Sequence, residues 1–391
     1  MDSFDVVIVG GAVIGSAAAF FLAEALPKSA RVLVIEADTS YAHCATTRSL
    51  ASIRHQFSTA ENVRLSMFGT EFLRQAGARL EVDGVRPLIG FVEAGYLFLA
   101  TEAGWPILQR NHAVQRAEGA EVALLRRDAL AQRFPWLETG DLAGGSLGLA
   151  GEGWLDAHGL MHGFQRKARA LGVHLRVGRV RALKRAGSRI SAVQLDDGTT
   201  IGCATVINAA GTGAAALART AGIVLPVQAR KRCVFHFRSP EAAAGCPLVI
   251  DPSGVYFRPE GAGFLCGIAP PESEDPECTD FEVPPGWFEE RLWPTLARRV
   301  PGFEAARLLS SWAGHYDVNV LDHNVILGAH PEVDNLLFAN GFSGHGLQQS
   351  PAIGRALMEL VVHGRFRSLD LGAFGWQRVL RDRPLRELNV V

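Results

Sequence analysis

The sequence predicts an α/β protein: a unit of alternating strands and helices, interleaved with a mostly antiparallel β-sheet domain. Three observations predict it. An apolar β-branched run, FDVVIV at Phe4–Val9, leads at once into Gly10-Gly11-Ala12-Val13-Ile14-Gly15 and then the helical stretch SAAAFFLAEAL. A second apolar run, RVLVI at Arg31–Ile35, ends in Glu36 and completes a β-α-β unit. From Pro226 to Pro270 the chain alternates in β-rich runs, CVFHF, GVYFRP and GFLCGIA.

The remaining elements follow in order. Glu61 to Leu80 sets Leu65, Phe68 and Phe72 on one face of an amphipathic helix. Leu97 to Ala100 reads as a strand, and Arg127 to Phe134 as a short helix stopped by Pro135. A helix from His158 to Leu171 feeds a strand-rich segment, Val173 to Val206. Inside that segment Asp197-Gly198 separates SAVQL from TTIGCATVI, a hairpin signal, and the meander ends in Asn208-Ala209-Ala210-Gly211. Acidic, proline-containing loops fill Pro270 to Pro285, before a helix from Trp287 to Arg299. Leu336 to Ala339 then runs into GFSGHG, and a helix is expected from Pro351 to Val362. Residues 1–85, 150–225 and 325–375 are assigned to the nucleotide domain, and 86–149 and 226–324 to a substrate domain.

Charge and composition exclude several classes of function. Lys+Arg total 39 and Asp+Glu 40, so there is no basic excess to hold a nucleic acid or an anionic membrane. The six cysteines form no C-x-x-C pair and no metal-ligand spacing, which predicts free thiols in a reducing compartment. Val6 to Ala23 is apolar, but Asp2 and Asp5 precede it and three glycines interrupt it, unlike a signal peptide or a span. A cytoplasmic protein is expected.

The glycine run has a specific chemistry. In G-x-G-x-x-G the glycines give a tight turn, close approach of backbone to a pyrophosphate, and tight helix-on-strand packing. Here Ala12 takes the middle position. Its methyl narrows the approach without abolishing it. The following helix aims its N–H groups and dipole at the phosphates. Glu36 follows Gly15 by 21 residues, where an acid accepts both ribose hydroxyls of an adenosine. This unit suits FAD or NAD alike. The distant stretch Asn340–Gln349, NGFSGHGLQQ, favours FAD: Gly341, Gly344 and Gly346 let backbone lie against a planar ring, and a helix tip meets the negative charge of a reduced flavin.

These strings together resemble the D-amino-acid oxidase superfamily of flavoproteins, in its sarcosine- and glycine-oxidase-like branch. The resemblance rests on VVIVGGAVIG, GWLDAHGL at Gly153–Leu160, TVINAAG at Thr205–Gly211, GVYFRPEG at Gly254–Gly261 and ANGFSGHGLQQSPAIGRAL at Ala339–Leu357. SIRHQFSTAENVRLS, SWAGHYDVNVLDHNVILG and GFSGHGLQQSP bring the chain nearest to the FAD-dependent oxidoreductase-domain proteins related to the mitochondrial complex I assembly factor. The fold so implied is a Rossmann-like FAD-binding domain interleaved with a mostly antiparallel β-sheet substrate domain.

The resemblance also implies site residues. Val13, Ile14, Glu36 and Ala37 would hold the ADP half. Cys44, Ala45, Thr46, Thr47, Arg48 and Ser49 would line the pyrophosphate and ring, with Val180, Ala210 and Gly211 at adenine and the flavin side. Gly314, Gly341, Gly344, His345, Gly346, Leu347 and Gln348 would surround the isoalloxazine.

The departures from the sarcosine oxidases carry their own implications. The cysteine that attaches their flavin falls at Gly314, so FAD is expected to be non-covalent. Their substrate-holding lysine falls at Gln348, and the lysine credited with oxygen reactivity falls at Leu265. A chain without that cation should react slowly with oxygen.

The activity implied is oxidation of a small amine or amino acid (a secondary or N-methyl amine, or a D-amino acid) to an imine by hydride transfer to flavin, with a separate electron acceptor. Arg54 and Arg258 are candidates to orient a carboxylate by a bidentate fork, with a structural salt bridge as the alternative for Arg54 and an ion pair as the expected role of Arg258. By the same resemblance His345 would sit at the flavin edge, and Tyr256, His55, Trp312 and Tyr316 are candidates for an aromatic cage around an amine. Two alternatives stand beside this: a flavin-bound assembly or partner-binding protein, and a subunit of a multi-subunit amine dehydrogenase.

Overall fold

The computed structural model describes residues 2–388. Strand β1 (Ser3–Val9), helix α1 (Val13–Ala25) and strand β2 (Val32–Glu36) make the β-α-β unit. Next come β3 (Ser52–Ile53), α2 (Ala60–Arg79), β4 (Tyr96–Ala100), α3 (Trp105–Ala117), β5 (Val122–Arg126), α4 (Arg127–Arg133) and β6 (Gly144–Gly148). β7 (Gly153–Trp154) and α5 (Ala157–Ala170) precede four strands, β8 (His174–Val177), β9 (Val180–Ala186), β10 (Arg189–Leu195) and β11 (Thr200–Asn208). After α6 (Ala214–Arg219) run β12 (Val227–Arg238), β13 (Leu248–Ile250), β14 (Tyr256–Glu260) and β15 (Gly263–Gly267). Then follow α7 (Trp293–Arg299), β16 (Arg307–Asn319), β17 (Ile326–His330), β18 (Val333–Asn340), α8 (Gly346–His363) and α9 (Trp376–Leu380).

Two eight-stranded sheets organise the described residues. The first has the order β17-β18-β11-β1-β2-β8, with β10 and β9 continuing antiparallel from β11. Its centre is parallel, β18 to β11 to β1 to β2, and it is covered on both faces. Alternate residues divide accordingly. Val6 and Ile8 pack with α1, α5 and α8, whereas Val7 and Val9 pack with α6 and the meander. That double burial is why β1 reads as a continuous apolar run. The Asp197-Gly198 turn joins β10 to β11, with Gly198 at φ +85°.

The second sheet has the order β16-β12-β15-β14-β13-β4-β6-β5 and is antiparallel except at β13–β4. One face packs on α4 and α7 around Phe235, Phe237, Phe257 and Phe303, all buried. The other face carries Tyr96, Phe98, Tyr256 and Leu265, with Trp312 beside them. A short antiparallel pair, β3 with β7, stands apart from both sheets. No helix among the described residues is long and apolar enough to cross a membrane.

Two element boundaries differ from the sequence reading. Helix α8 starts at Gly346, five residues before Pro351, which lies inside it. The expected helix from Trp287 opens as a π-helical turn, Phe288–Leu292, and becomes α-helical only at Trp293. Helix α3 and strands β5 and β6 carry no signal the sequence reading used.

Candidate active site

The fingerprint turn is set by backbone contact. Gly10 leaves β1 at φ +100°, and a Cβ there would sit 2.3 Å from the Ala209 carbonyl oxygen, at the end of β11. A Cβ on Gly15 would sit 1.8 Å from the Gly10 carbonyl oxygen, so only glycine lets α1 cross the turn this closely. Ala12 is the N-cap of α1 and offers no side-chain cap, and no acid lies in the first turn. Val13 N–H meets the Thr46 hydroxyl at 3.4 Å. The positive end of the helix is therefore not neutralised by a carboxylate of its own first turn.

Glu36, at the end of β2, accepts the Gly11 N–H at 2.7 Å through one oxygen and the Asp38 N–H at 2.8 Å through the other. It is half-buried beside the exposed Ala37. The segment Cys44 to Ser49 folds back toward the helix tip. The Thr47 hydroxyl donates to the Tyr41 carbonyl at 2.6 Å and the Ser49 hydroxyl to the Thr46 carbonyl at 2.8 Å. Cys44 lies against Thr47, and Ala45 is exposed. Arg48 donates to the Ala42 carbonyl at 2.6 Å and the Ala313 carbonyl at 2.8 Å, which ties this segment to β16. Val180 opens β9 against the second core, and Ala210 and Gly211 follow β11, with Gly211 at φ +52° and open space where its Cβ would be.

The far glycine turn is built around Asp317. Its carboxylate accepts the Gly341 N–H at 2.8 Å and the Phe342 N–H at 3.4 Å, and burial pushes its pKa up to about 6 against those bonds. Gly341 and Gly344 have φ of +78° and +94°, and a Cβ on Gly344 would strike the Tyr316 ring at 2.5 Å. A Cβ on Gly314 would lie 2.9 Å from the Arg48 Cβ. Any larger residue there would displace Arg48. Asn340, fully buried where β18 ends, has no partner among the described residues for either polar atom of its amide.

FAD fits these residues. A buried amide at the strand ends awaits a polar partner, and a carboxylate stands at the second strand. The tip of α1 and the tip of α8, where Gly346 and Leu347 form the first turn, supply two positive ends. FAD held there would supply a two-electron acceptor.

A buried polar cluster lies at the start of α8. Arg54 follows β3, is 3% exposed, and donates to the Gln56 carbonyl at 2.8 Å and to His345 Nε2 at 2.9 Å. Its own N–H goes to Gln348 Oε1 at 2.8 Å, and its carbonyl accepts the Ser66 hydroxyl at 2.5 Å. Burial, then the Arg54 charge, hold the His345 pKa well below the usual histidine range. The ring is therefore neutral, and Nε2 is the acceptor toward Arg54. Arg54 is thus in direct contact with both His345 and Gln348, candidate residues 291 and 294 positions away in sequence. Ser66, Gln56 and Glu152 belong to the same cluster and were missed. A lone acid between two glycines, Gly151 and Gly153, was the available signal for Glu152.

The other candidates separate. Tyr256 is buried on β14 beside Leu265, Tyr96 and Trp312, and Trp312 donates its indole N–H to the Arg48 carbonyl at 3.0 Å. Arg258, two residues along, spends its guanidinium on the Leu50 carbonyl at 3.0 and 3.2 Å, the Pro259 carbonyl at 2.8 Å and an ion pair with Glu260. That is the ion-pair role expected for Arg258, not a free fork. Tyr316 lies between Gly344 and the Arg232 guanidinium. His55 does not join the aromatic group: its ring bonds the Thr70 hydroxyl at 2.8 Å, and burial lowers its pKa to about 4.

Comparison with known proteins gives the family and the fold. The chain matches the family described as DAO, FAD dependent oxidoreductase, over residues 5–360. It is 41% identical over 422 residues to FAD-dependent oxidoreductase domain-containing protein 1 of Xenopus laevis, covering 99% of this chain and 85% of that protein. The crystal structure of L-proline dehydrogenase from P. horikoshii shares the fold, with a TM-score of 0.86 at 24% identity over 97% of this chain and 98% of that one. Glycine oxidase from Geobacillus kaustophilus gives 0.81 at 27% identity, over 96% and 98%. With a helix tip, a strand-end carboxylate and a second glycine turn all in place, this chain belongs to the DAO family of FAD-dependent oxidoreductases.

Proposed function

We propose that this protein oxidises a small amine or amino acid bearing a carboxylate, a secondary (N-methyl) amine or a D-amino acid, to the imine. The observation that carries this reading is Arg54, a guanidinium buried against the first turn of α8. A cation so placed attracts and orients a carboxylate. Neutral His345 fixes the guanidinium and carries no charge of its own to compete for the anion. Tyr96, Tyr256, Trp312 and Leu265 form an aromatic and apolar wall that excludes water from the amine end. Leu265 brings no cation to the wall, so reaction with oxygen is slow and electrons pass to another acceptor. Gly314 offers no thiol, so the flavin is held non-covalently.

The test is anaerobic mixing of the holoenzyme with N-methyl and D-amino acids while flavin absorbance is followed at about 450 nm. Bleaching by a carboxylate-bearing amine, with KM raised about 100-fold in Arg54→Met, is the expected result. Bleaching that ignores the carboxylate, or an unchanged KM in the variant, overturns the reading. If no compound bleaches the flavin and a second protein co-purifies, the partner-binding reading takes its place.

A further inference from the structure

We propose that Glu152 is a positioning residue for Arg54: its carboxylate clamps the backbone of the next two residues and so fixes the guanidinium that receives the substrate's carboxylate. The inference rests on the reading of Arg54 given above and names a residue that this reading does not use.

Glu152 stands between β6 and β7, 1% exposed. One carboxylate oxygen accepts the N–H of His55 at 2.5 Å and of Gln56 at 3.1 Å. The other accepts the Gln56 side-chain Nε2 at 2.8 Å, and that same nitrogen donates to the Tyr96 carbonyl at 2.8 Å. Gln56 held in this way turns its own carbonyl onto the Arg54 guanidinium at 2.8 Å. The order of contact is therefore Glu152 to Gln56 to Arg54, with His345 and Gln348 closing from α8.

The surrounding chain is shaped to deliver this acid. A Cβ on Gly148 would fall 1.7 Å from Glu152 Oε2, so the carboxylate occupies the space a side chain on β6 would take. Gly151, at φ +74°, would place a Cβ 2.4 Å from the His55 ring. A carboxylate that only filled a hole would not need two backbone donors and a side-chain donor converging on it. An amide cannot replace it without loss. With its oxygen kept on the two backbone N–H groups, a glutamine would point NH2 at the Gln56 NH2, and Gln56 would have to turn and abandon Tyr96.

The charged and titratable groups near Glu152 are Arg54, the neutral ring of His55 and Tyr96, with the Arg74–Glu93 pair one layer further out against His55. Burial raises the Glu152 pKa to about 7, against the bonds from Gln56 and His55 and the attraction of Arg54. Protonation at mildly acidic pH thus removes an acceptor from the Gln56 amide and loosens the clamp.

The experiment titrates holoenzyme with benzoate, a plain carboxylate probe, following the perturbation of the flavin spectrum, in wild type, Arg54→Met, Glu152→Gln and Glu152→Asp. FAD content and melting temperature are recorded for each. Wild type is expected to bind benzoate more weakly as pH falls from about 8 to about 6. Glu152→Gln should raise Kd about 10-fold at pH 8, flatten that profile, and retain FAD. Glu152→Asp should recover part of the pH dependence. A benzoate Kd that is unchanged or tighter in Glu152→Gln, while Arg54→Met loses binding, overturns the clamp and leaves the reading of Arg54 standing. Benzoate binding that survives Arg54→Met, or is absent from wild type, sinks the reading of Arg54 and the clamp with it. If Glu152→Gln does not fold, the wild-type profile alone decides: affinity flat or rising toward pH 6 overturns the proposal.

Discussion

Ser350 shows how a single hydroxyl resets an element boundary. Pro351 has no N–H, so the Leu347 carbonyl four residues earlier loses its helical partner. The Ser350 hydroxyl donates to that carbonyl at 2.9 Å, and α8 continues through the proline. Taking Pro351 as the helix start is therefore sound on propensity and wrong here by one side-chain hydrogen bond. The correction matters because it brings His345, Gly346 and Gln348 into the cap and first turn. Ser350→Ala leaves a buried carbonyl unpaired, and a loss of about 1–3 kcal/mol is expected by chemical denaturation. Ser350→Thr should restore most of it. Residue identity alone could not assign Arg258 or His55 either: both are plausible ligands by type, and each is claimed by neighbours, Leu50 and Glu260 for one and Thr70 for the other.

Among elements, the crossing of α1 and α8 matters most for the cofactor. A Cβ on Gly354 would lie 2.7 to 2.9 Å from the backbone and side chain of Ala17, so the helices touch there with no spacer. Both helices aim their first turns at the FAD site, and forcing them apart moves both tips. Gly354→Ala is therefore expected to lower the melting temperature and the flavin-to-protein absorbance ratio together. Gly364→Ala serves as the comparison. It ends α8 at φ +68° in open space, and its cost of about 1 kcal/mol should leave flavin retention intact. The β-α-β unit was legible because strand, turn, helix and acid follow one another within 36 residues. Strand β6, GGSLG, was not, because glycine is a poor strand signal. It is needed there since a Cβ on Gly144 would meet the Trp105 ring at 2.5 Å, and a Cβ on Gly145 would meet the Phe98 carbonyl oxygen at 2.9 Å.

At the scale of the whole molecule, the site is a product of distant chain segments. Arg54 and Gln348 are 294 residues apart, and Gln56 and Glu152 are 96 apart. Local pattern can find a glycine turn, but it cannot pair residues across such separations; resemblance reached Gln348, and neither pattern nor resemblance singled out Gln56 or Glu152. Burying this cluster has a consequence that stability reports. The Glu152 pKa rises from 4.5 to about 7 on folding, so between those values the folded chain binds more protons than the unfolded one. Stability attributable to Glu152 must then fall as pH rises through that window, with the full penalty present above about 7. The shift corresponds to a penalty on the order of 3 kcal/mol. Asp317 works in the same direction, between 3.8 and about 6, while His55 and His345, both depressed by burial, work in the opposite one. Those groups are common to wild type and Glu152→Gln, so they cancel in the difference between the two proteins. Denaturation of both holoenzymes at a series of pH values should show the variant gaining on wild type as pH rises from about 4.5 to about 7, and no further change above. Two curves that stay parallel across that interval would mean that the Glu152 carboxylate carries no burial penalty in the folded protein.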